Sequence, residues 1–263
     1  LHRLIRRQRQ MCIRDRPEAK PETIEKCRTD FGDVRFTAGD GVTLLDYWME
    51  EKVDGDYAVF WVKVPSIPAD PDKATIYIYY GKSDAVYDGD PQSVFLVYDD
   101  FERSSINGGA YTYVLWDRRY DKEASEQDAR PGGIIENGHL KLHPDTMAYI
   151  AQAFPANIAV KVRTQHIGGS TTRRSVLGAR YEYTSGNPGN GVGFGLTYGG
   201  DYYKTPGRFV LDPQSGLWGT EKVADTSLAP PSHTWIDLEI RLYQDTGKFY
   251  YQGELWQTVT CLL

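Results

Sequence analysis

The sequence has few cysteines and no long apolar run. Only three of its 263 residues are Cys, at positions 12, 27 and 261, and their spacing matches neither a zinc site nor a disulfide framework. No stretch approaches the roughly 20 apolar residues of a membrane-spanning helix. These absences argue against a structural zinc module, a disulfide-rich scaffold and a membrane-inserted segment.

The first 16 residues differ from the rest of the chain in charge and pattern. The segment R-R-Q-R-Q-M-C-I-R-D-R has neither helical nor strand periodicity, so we expect no folded element over residues 1–16. It resembles the translation of a sequencing-library adapter, and Cys261-Leu262-Leu263 resembles the start of the complementary adapter. We therefore interpret residues 1–16 and 261–263 as non-native segments. The alternative is a basic arm that binds nucleic acid or membrane.

Excluding residues 1–16 makes the chain distinctly acidic. They carry six Arg and one Asp, so the remainder has 24 basic and 35 acidic residues, a net charge of −11 against −6 for the whole chain. A nucleic-acid surface needs clustered Lys and Arg. The composition therefore argues against nucleic acid as a partner.

Short runs of β-branched and aromatic residues, separated by Gly, Asp and Pro, predict an all-β chain. The turn-rich stretch K-S-D-A-V-Y-D-G-D-P-Q-S is typical of a connector, and V-F-L-V-Y-D-D-F-E then begins a new apolar run. We place a domain boundary near Tyr98, with one β-sandwich over residues 17–98 and a second over 99–260.

Three segments of the first domain resemble the sequences of a known family. The stretches D-F-G-D-V-R-F-T-A-G-D-G-V-T-L-L-D-Y-W-M-E, F-W-V-K-V-P-S-I-P-A and T-I-Y-I-Y-Y-G-K-S resemble an uncharacterised β-domain of prokaryotic surface and secreted proteins, catalogued as a domain of unknown function. The resemblance runs from about Asp30 to Asp100. It implies an extracellular or cell-surface setting and further strands before residue 17. We expect the core to include Phe36, Leu44, Trp48, Val62, Ile76 and Ile78.

The sequence of the second domain predicts a series of strands separated by turns. The run I-I-E-N-G-H-L-K-L predicts a hairpin with an Asn-Gly turn, and W-I-D-L-E-I-R-L-Y alternates apolar and polar residues. With F-Y-Y-Q-G-E-L, in which Gln252 stands where an Asp is usual, the order of segments resembles a concanavalin A-like lectin/glucanase jelly roll that lacks its last strands. We expect the core to contain Ile158, Val160, Phe194, Leu196, Leu238 and Ile240.

One face of this second domain is a candidate glycan-binding surface. Gly178, Arg180 and Glu182 alternate with the apolar Leu177, Ala179 and Tyr181, and Gly193 and Gly195 alternate with Val192 and Phe194. Small residues leave room for a ligand, while aromatic rings stack on the apolar faces of sugars. The predicted carbohydrate-binding residues are Trp116, Arg180, Glu182, Tyr202, Tyr203 and Trp218. The alternative is that these aromatics pack at sheet edges.

An acidic cluster opens the second domain. Asp99, Asp100 and Glu102 supply closely spaced oxygen ligands of the kind that Ca²⁺ binds. The resemblance to lectin-like jelly rolls implies a structural calcium ion near the terminal strands. The alternative for these three residues is a solvated turn.

The sequence contains no convincing catalytic constellation. Asp237 and Glu239 alternate on one strand as the carboxylates of retaining glycosidases of this fold do, but Trp235 occupies the place where the resembled glucanases have a third acid. We therefore predict a non-catalytic pair of modules that binds carbohydrate or mediates adhesion. The alternatives are a structural spacer of a large surface protein and a fragment of a glycoside hydrolase or lyase.

Overall fold

The computed structural model divides the chain into two compact units, Leu1–Tyr98 and Asp99–Leu263. It describes residues 9–14, 26–68, 71–117, 122–124, 132–143, 146–150, 152–165, 167, 173–179, 183–184, 187–188, 192–198, 206–211, 218–221 and 233–260. These residues are mostly strand with almost no helix, which confirms the predicted all-β class. The finer prediction of two sandwiches, one of them a jelly roll, stays a prediction.

Where the structure describes it, the first unit has two small antiparallel sheets and a short helix. One sheet has the order β1-β4-β3 and the other pairs β2 with β5. Aromatic and β-branched residues dominate these strands, as expected for half-buried sheet positions. The elements are β1 (Arg9–Arg14), β2 (Arg35–Ala38), β3 (Tyr47–Val53), β4 (Tyr57–Val62), β5 (Ile76–Tyr79) and α1 (Pro91–Val94).

Two residues that we predicted for the core of the first unit, Leu44 and Trp48, are not in it. Phe36 and Val62 are fully buried, and Ile76 and Ile78 pack against the same cluster. Leu44, however, is 71% exposed, and its neighbour Leu45 is buried instead. Leu44 shares a β-bridge with Thr37, while the Leu45 amide donates to the Phe36 carbonyl. This pairing turns the side chain of Leu45, rather than that of Leu44, inward.

Trp48 is the second correction, because Tyr47 takes the core position on β3. Tyr47 is 5% exposed and lies in the same cluster as Phe60, whereas Trp48 is only half-buried. A bulge between Met49 and Glu51 interrupts the pairing of β3 with β4. Because a strand alternates its side chains between two faces, the residues next to Tyr47 lie on the opposite face of the sheet.

Strand β1 contradicts the expectation that residues 1–16 form no folded element. Arg9–Arg14 pairs antiparallel with β4, from Arg9 opposite Val62 to Arg14 opposite Tyr57. An unpaired edge of β4 would leave backbone donors and acceptors without partners, which favours the addition of any extended segment. The apolar Met-Cys-Ile sequence at the middle of β1 is compatible with such a strand.

The second unit contains strands β6 to β20. Its two larger sheets have four strands each, in the orders β11-β18-β19-β20 and β12-β15-β16-β17. The strands are β6 (Tyr113–Asp117), β7 (Lys122–Ala124), β8 (Gly133–Glu136), β9 (His139–Leu142), β10 (Thr146–Ile150), β11 (Ile158–Gln165), β12 (Arg173–Ala179), β13 (Tyr183–Thr184), β14 (Asn187–Pro188), β15 (Val192–Tyr198), β16 (Pro206–Leu211), β17 (Trp218–Glu221), β18 (Trp235–Tyr243), β19 (Thr246–Tyr251) and β20 (Glu254–Thr260).

The main core of the second unit lies on the inner face of the sheet that contains β18. Leu238 and Ile240 are fully buried, and Ile158 and Val160 pack against them, as the alternation in the sequence predicts. Leu177 of β12 packs against the same cluster. The register pairs Leu177 with Phe194, so the predicted core position Phe194 lies on the face of its sheet that carries Leu177.

Two hairpin turns of this unit follow from their sequences. Asn137 and Gly138 both have positive φ, 53° and 70°, and connect β8 to β9 as the Asn-Gly signal predicts. Gln252 and Gly253 likewise have φ of 50° and 82° between β19 and β20. The Gln252 side-chain oxygen also accepts a hydrogen bond from the Asp237 amide at 2.9 Å, which gives Gln a role at this turn position.

Candidate functional site: the glycine face

One sheet of the second unit has a face with glycine at four of its eleven described positions. Because Leu177 faces the core, the residues that alternate with it on β12 lie on the opposite face. Register extends this face across the sheet, since Gly178 pairs with Gly193, and Gly195 pairs with Gly207. We call it the glycine face, and its described positions are Arg174, Val176, Gly178, Gly193, Gly195, Thr197, Gly207, Phe209, Leu211, Trp218 and Thr220.

Two aromatic residues occupy positions on the glycine face. Phe209 pairs with Gly193, and on its other side it pairs with Thr220 of β17. Trp218 pairs with Leu211, two residues from Phe209 on the same face. The register therefore places two aromatic positions next to the glycine positions of this face.

The predicted carbohydrate-binding residues are only partly brought together. Trp218 lies on the glycine face, in a strand rather than in a loop. Trp116 lies in β6, which belongs to the separate sheet β10-β6-β7. Arg180, Glu182, Tyr202 and Tyr203 lie outside the described residues. Sequence reasoning missed Phe209, because only the register of β15 with β16 shows which face it shares with Gly193.

The outer face of the sheet β11-β18-β19-β20 carries charged residues instead of glycines. Lys161 and Arg163 are exposed on β11, and they pair in register with Glu239 and Asp237 of β18. Arg241 binds the Glu239 carboxylate through two nitrogens, at 2.5 and 3.1 Å, and lies 4.1 Å from the Tyr250 ring centroid. We call this surface the charged face. The two carboxylates considered for catalysis lie on this face, partly buried, with Glu239 held by an arginine.

The acidic cluster at the start of the second unit is an arginine site rather than a set of free oxygen ligands. Asp99 receives the Arg103 guanidinium at 2.5 and 3.0 Å, the Tyr113 hydroxyl at 2.9 Å and the Phe101 amide at 2.9 Å. Burial by itself raises the pKa of Asp99, but these hydrogen bonds outweigh it, and the net pKa is lowered. Burial is also the main reason why the pKa of Tyr113 is raised.

This geometry gives no support to the predicted calcium site at Asp99, Asp100 and Glu102. The Asp100 carboxylate accepts from the Glu102 amide at 3.1 Å, a local turn contact. In the part of the chain that the structure describes, no group of three His, Cys, Asp or Glu side chains is placed to hold a metal ion. Four donors bind the Asp99 oxygens, and the calcium site at these three residues stays a prediction.

A buried carboxylate also organises the first unit. Asp33 is 2% exposed and accepts hydrogen bonds from the Arg28 amide at 3.0 Å and the Gly81 amide at 2.6 Å. The Arg28 guanidinium donates hydrogen bonds to the backbone carbonyls of Ser83 and Ala85. These contacts fix the beginning of the predicted connector, residues 82–93, to the body of the first unit.

An aromatic cluster holds the segment that follows this connector, residues 94–98. Trp48 and Trp61 are paired in register on the outer side of β3 and β4. Phe95 lies 5.7 Å from the Trp48 ring and 5.2 Å from the Trp61 ring, and Tyr98 lies 4.9 Å from Trp48. The Trp61 indole donates to the Glu50 carboxylate at 2.8 Å. The rings pack against one another, so we interpret the cluster as a packing feature rather than a ligand-stacking site.

The remaining chemically interesting residue of the first unit is Cys27. Burial, assisted by the nearby Asp33 carboxylate, raises the pKa of its thiol to about 11. The thiol therefore stays protonated near neutral pH, where a thiolate would be needed for nucleophilic reactivity or metal binding. Cys27 is consequently a packing residue in this environment.

Comparison with known proteins identifies one family. Residues 30–118 match the family described as Domain of unknown function (DUF2341), which confirms the resemblance to an uncharacterised domain. The matched range passes the boundary at Tyr98 and includes Asp99, Arg103 and Tyr113. No curated protein and no solved structure gives a significant match. Among the described residues, no helix combines the length and apolar character needed to cross a bilayer.

Proposed function

We propose that this chain is a non-catalytic pair of β-modules from a prokaryotic cell-surface or secreted protein, and that its second unit binds a glycan on the glycine face. The observation that carries the proposal is the registered glycine block of β12, β15 and β16 with Phe209 and Trp218 on the same face. The surface setting is supported by the resemblance of residues 30–100 to a domain of surface and secreted proteins.

The contrast between the two outer faces supports the proposal. The charged face carries Lys161, Arg163, Asp237 and Glu239. The glycine face carries one charged residue, Arg174, among its described positions. This difference in composition supports a ligand site on the glycine face.

The same composition supports a binding role over a hydrolytic one. Glycoside hydrolysis uses a pair of carboxylates that flank the scissile bond. The described positions of the glycine face contain no Asp or Glu. The pair Asp237 and Glu239 lies instead on the charged face, where Arg241 engages Glu239.

A glycan array with the full chain tests the proposal. Gly193→Val places a β-branched side chain in the middle of the glycine face, a change that strands tolerate but that would block close approach of a ligand to the backbone. We expect this variant to lose at least about tenfold in affinity, roughly 1.4 kcal/mol. Ala159→Val is the matched control, since Ala159 is exposed on β11 of the other sheet. Absence of binding to every glycan would favour the structural-spacer alternative.

A further inference from the structure

The outer face of the sheet β2-β5 presents apolar side chains to solvent. Phe36 of β2 is fully buried in the core, so the next residue, Thr37, lies on the outer face. The register places Leu44 beside Thr37 on one side and Tyr77 of β5 on the other. Thr37 is buried between these two neighbours, whereas Tyr77 is 47% exposed and Leu44 more so.

Tyr79 and Val42 extend this apolar surface. Tyr79 lies two residues from Tyr77 on the same face of β5, and it is exposed to the same degree. Its hydroxyl donates to the Gly41 carbonyl at 3.0 Å, so its ring lies beside the turn that contains the exposed Val42. Neighbouring exposed apolar side chains of this kind are typical of interaction sites. We call them the outer patch: Val42, Leu44, Tyr77 and Tyr79.

The backbone of β5 has hydrogen-bonding groups that point away from β2. The Phe36 carbonyl accepts the Leu45 amide, on the side of β2 away from β5. Residues directly opposite each other in an antiparallel ladder exchange both hydrogen bonds or neither. Ile78, which pairs with Phe36, therefore directs its amide and carbonyl to the far edge of β5, and Ile76 does the same. In the part of the chain that the structure describes, no further strand pairs with this edge.

Burial shows that this edge is open. Phe36 and Ile78 are paired on the inward face of their sheet, yet Phe36 is fully buried and Ile78 only half-buried. Ile76 is also half-buried. A strand on the far side of β5 would cover these isoleucines in the way that β5 covers Phe36. Both the edge and the adjoining outer patch are therefore accessible to a partner.

Strand β3, which also lies at the edge of its sheet, is protected in ways that β5 is not. It carries Glu50, Glu51 and Lys52 and has a bulge after Met49, features that keep edge strands from pairing with other molecules. The connector also covers part of β3, since the Met49 amide donates to the Tyr87 hydroxyl. The sequence of β5 is Ile-Tyr-Ile-Tyr, and its pairing with β2 has no bulge.

We propose that β5 pairs antiparallel with β5 of a second copy of this chain, across a two-fold axis. Such an axis keeps each side chain on its own face, so tyrosines meet tyrosines on the outer face and isoleucines meet isoleucines on the inner face. Aromatic and β-branched pairs placed opposite one another stabilise a sheet. The pairing also joins the two outer patches at the axis.

The charges that flank β5 are compatible with this self-pairing. Asp72 and Lys73 precede the strand, and Lys82 and Asp84 follow it. Antiparallel pairing brings the beginning of one strand beside the end of the other. Because both signs of charge are present at both ends, two copies do not meet with charges of a single sign. A second copy therefore satisfies the backbone, the apolar faces and the charges of this edge together.

Sedimentation velocity of the full chain tests the pairing. Since β5 has only four residues, the interface is small, and interfaces below about 1,200 Å² in total are weak. Between about 5 and 500 µM protein we expect a reversible equilibrium of monomer and dimer, with a dissociation constant on the order of 100 µM. A monomer at every concentration, or species that keep growing beyond the dimer, would overturn the inference.

A matched pair of substitutions assigns the dimer to β5. Tyr77→Lys places a charge on the outer patch, and a lysine on an edge strand opposes pairing. Val53→Lys is the control, because Val53 is also 47% exposed but lies on β3. We expect dimerisation to weaken at least about tenfold in Tyr77→Lys and to stay unchanged in Val53→Lys. Equal dimerisation of the wild type and Tyr77→Lys would overturn the assignment to this edge.

Hydrogen exchange tests the same edge without a substitution. The amides of Tyr77 and Tyr79 bond to β2, so we expect them to be protected at every protein concentration. The Ile78 amide points to the open edge and should exchange at least about twofold more slowly at 500 µM than at 5 µM, because the dimer protects it. Exchange of Ile78 at the same rate at both concentrations would contradict the proposed pairing.

Discussion

At the scale of single residues, the two units rely on carboxylates that are held by specific donors. Asp33 receives two backbone amides in the first unit, and Asp99 receives Arg103, Tyr113 and an amide in the second. A buried carboxylate is tolerated only when its oxygens are satisfied in this way. The sequence shows both residues as acids near turns, but it does not show that either is buried.

Asp99→Asn should destabilise the second unit by about 3 kcal/mol at pH 7, because the substitution leaves the Arg103 charge without its partner. The pKa of Asp99 is lowered in the folded state, so its stabilising contribution is present above the unfolded pKa of about 4. That contribution is lost as the pH falls through the folded pKa. The free-energy gap between wild type and variant should therefore narrow between pH 7 and pH 3 in urea titrations.

Asp100→Asn is the matched control for this prediction. Asp100 is exposed and accepts only the Glu102 amide among the hydrogen bonds described here, and an Asn side chain can accept the same bond. We expect a change within about 0.5 kcal/mol, as for most surface positions. Equal destabilisation by the two substitutions, or a gap for Asp99→Asn that does not depend on pH, would contradict the role given to the ion pair.

At the scale of elements, the predicted connector (residues 82–93) and the segment after it up to Tyr98 are an ordered part of the first unit. Asp90 caps α1 by accepting the Gln92 amide at 3.0 Å, and Phe95 and Tyr98 complete the aromatic cluster with Trp48 and Trp61. Its turn-rich composition predicts local turns correctly, but it gives no sign of these distant contacts. The reason is that tertiary packing of Arg28 and of the two Trp residues, rather than local propensity, fixes the segment.

Gly89→Ala should destabilise the first unit by about 1–3 kcal/mol, the usual cost of overpacking. A Cβ at this position would lie 2.9 Å from the Tyr47 carbonyl oxygen and 2.6 Å from a carbon of the Tyr87 ring. The Tyr87 hydroxyl accepts the Met49 amide, so the ring cannot move without losing that bond. Urea unfolding followed by tryptophan fluorescence measures the change.

Gly32→Ala is the matched control for Gly89→Ala. The nearest atoms to its Cβ would be the Asp30 carboxylate oxygens at 3.4 Å, an ordinary contact distance. We expect its effect to stay within about 1 kcal/mol. A Gly89→Ala variant as stable as Gly32→Ala would show that the connector is not held against β3 at this point.

Sequence pattern predicts those elements that are governed by local rules. The Asn137-Gly138 turn and the alternation of β18 are found as expected, because turn chemistry and burial parity are encoded within a few residues. The predictions for Leu44 and Trp48 were wrong because pairing decides the parity: Leu44 forms a bridge with Thr37, and Trp48 pairs with Trp61 on the face opposite Tyr47. The face shared by Gly193, Phe209 and Trp218 could be foreseen only in part, since register between distant strands depends on pairing rather than on local sequence.

At the scale of the whole molecule, the two units have separate hydrophobic cores. Phe60 is fully buried in the cluster of the first unit, and Leu238 is fully buried in that of the second. Domains with separate cores can unfold as separate cooperative units. We therefore expect the chain to unfold in two resolvable steps in calorimetry.

A cavity-forming substitution in each core shows which unfolding step belongs to which unit. Phe60→Ala and Leu238→Ala should each cost about 3–5 kcal/mol, since each creates a cavity in a packed core. Each substitution is expected to shift one of the two steps and to leave the other in place. A single transition that both variants shift equally would contradict two independent cores.

The central claim, that the second unit binds a glycan on the glycine face, is tested most directly by affinity electrophoresis of the full chain through polysaccharide-containing gels. Trp218→Ala removes the indole at the edge of that face, and Trp116→Ala is the matched control, because Trp116 lies in the sheet β10-β6-β7. Loss of aromatic stacking costs about 1 kcal/mol or more. We expect retardation of the wild type and of Trp116→Ala, and at least about fivefold weaker retardation of Trp218→Ala. Equal retardation of the wild type and Trp218→Ala, or no retardation of the wild type by any polysaccharide, would contradict the claim.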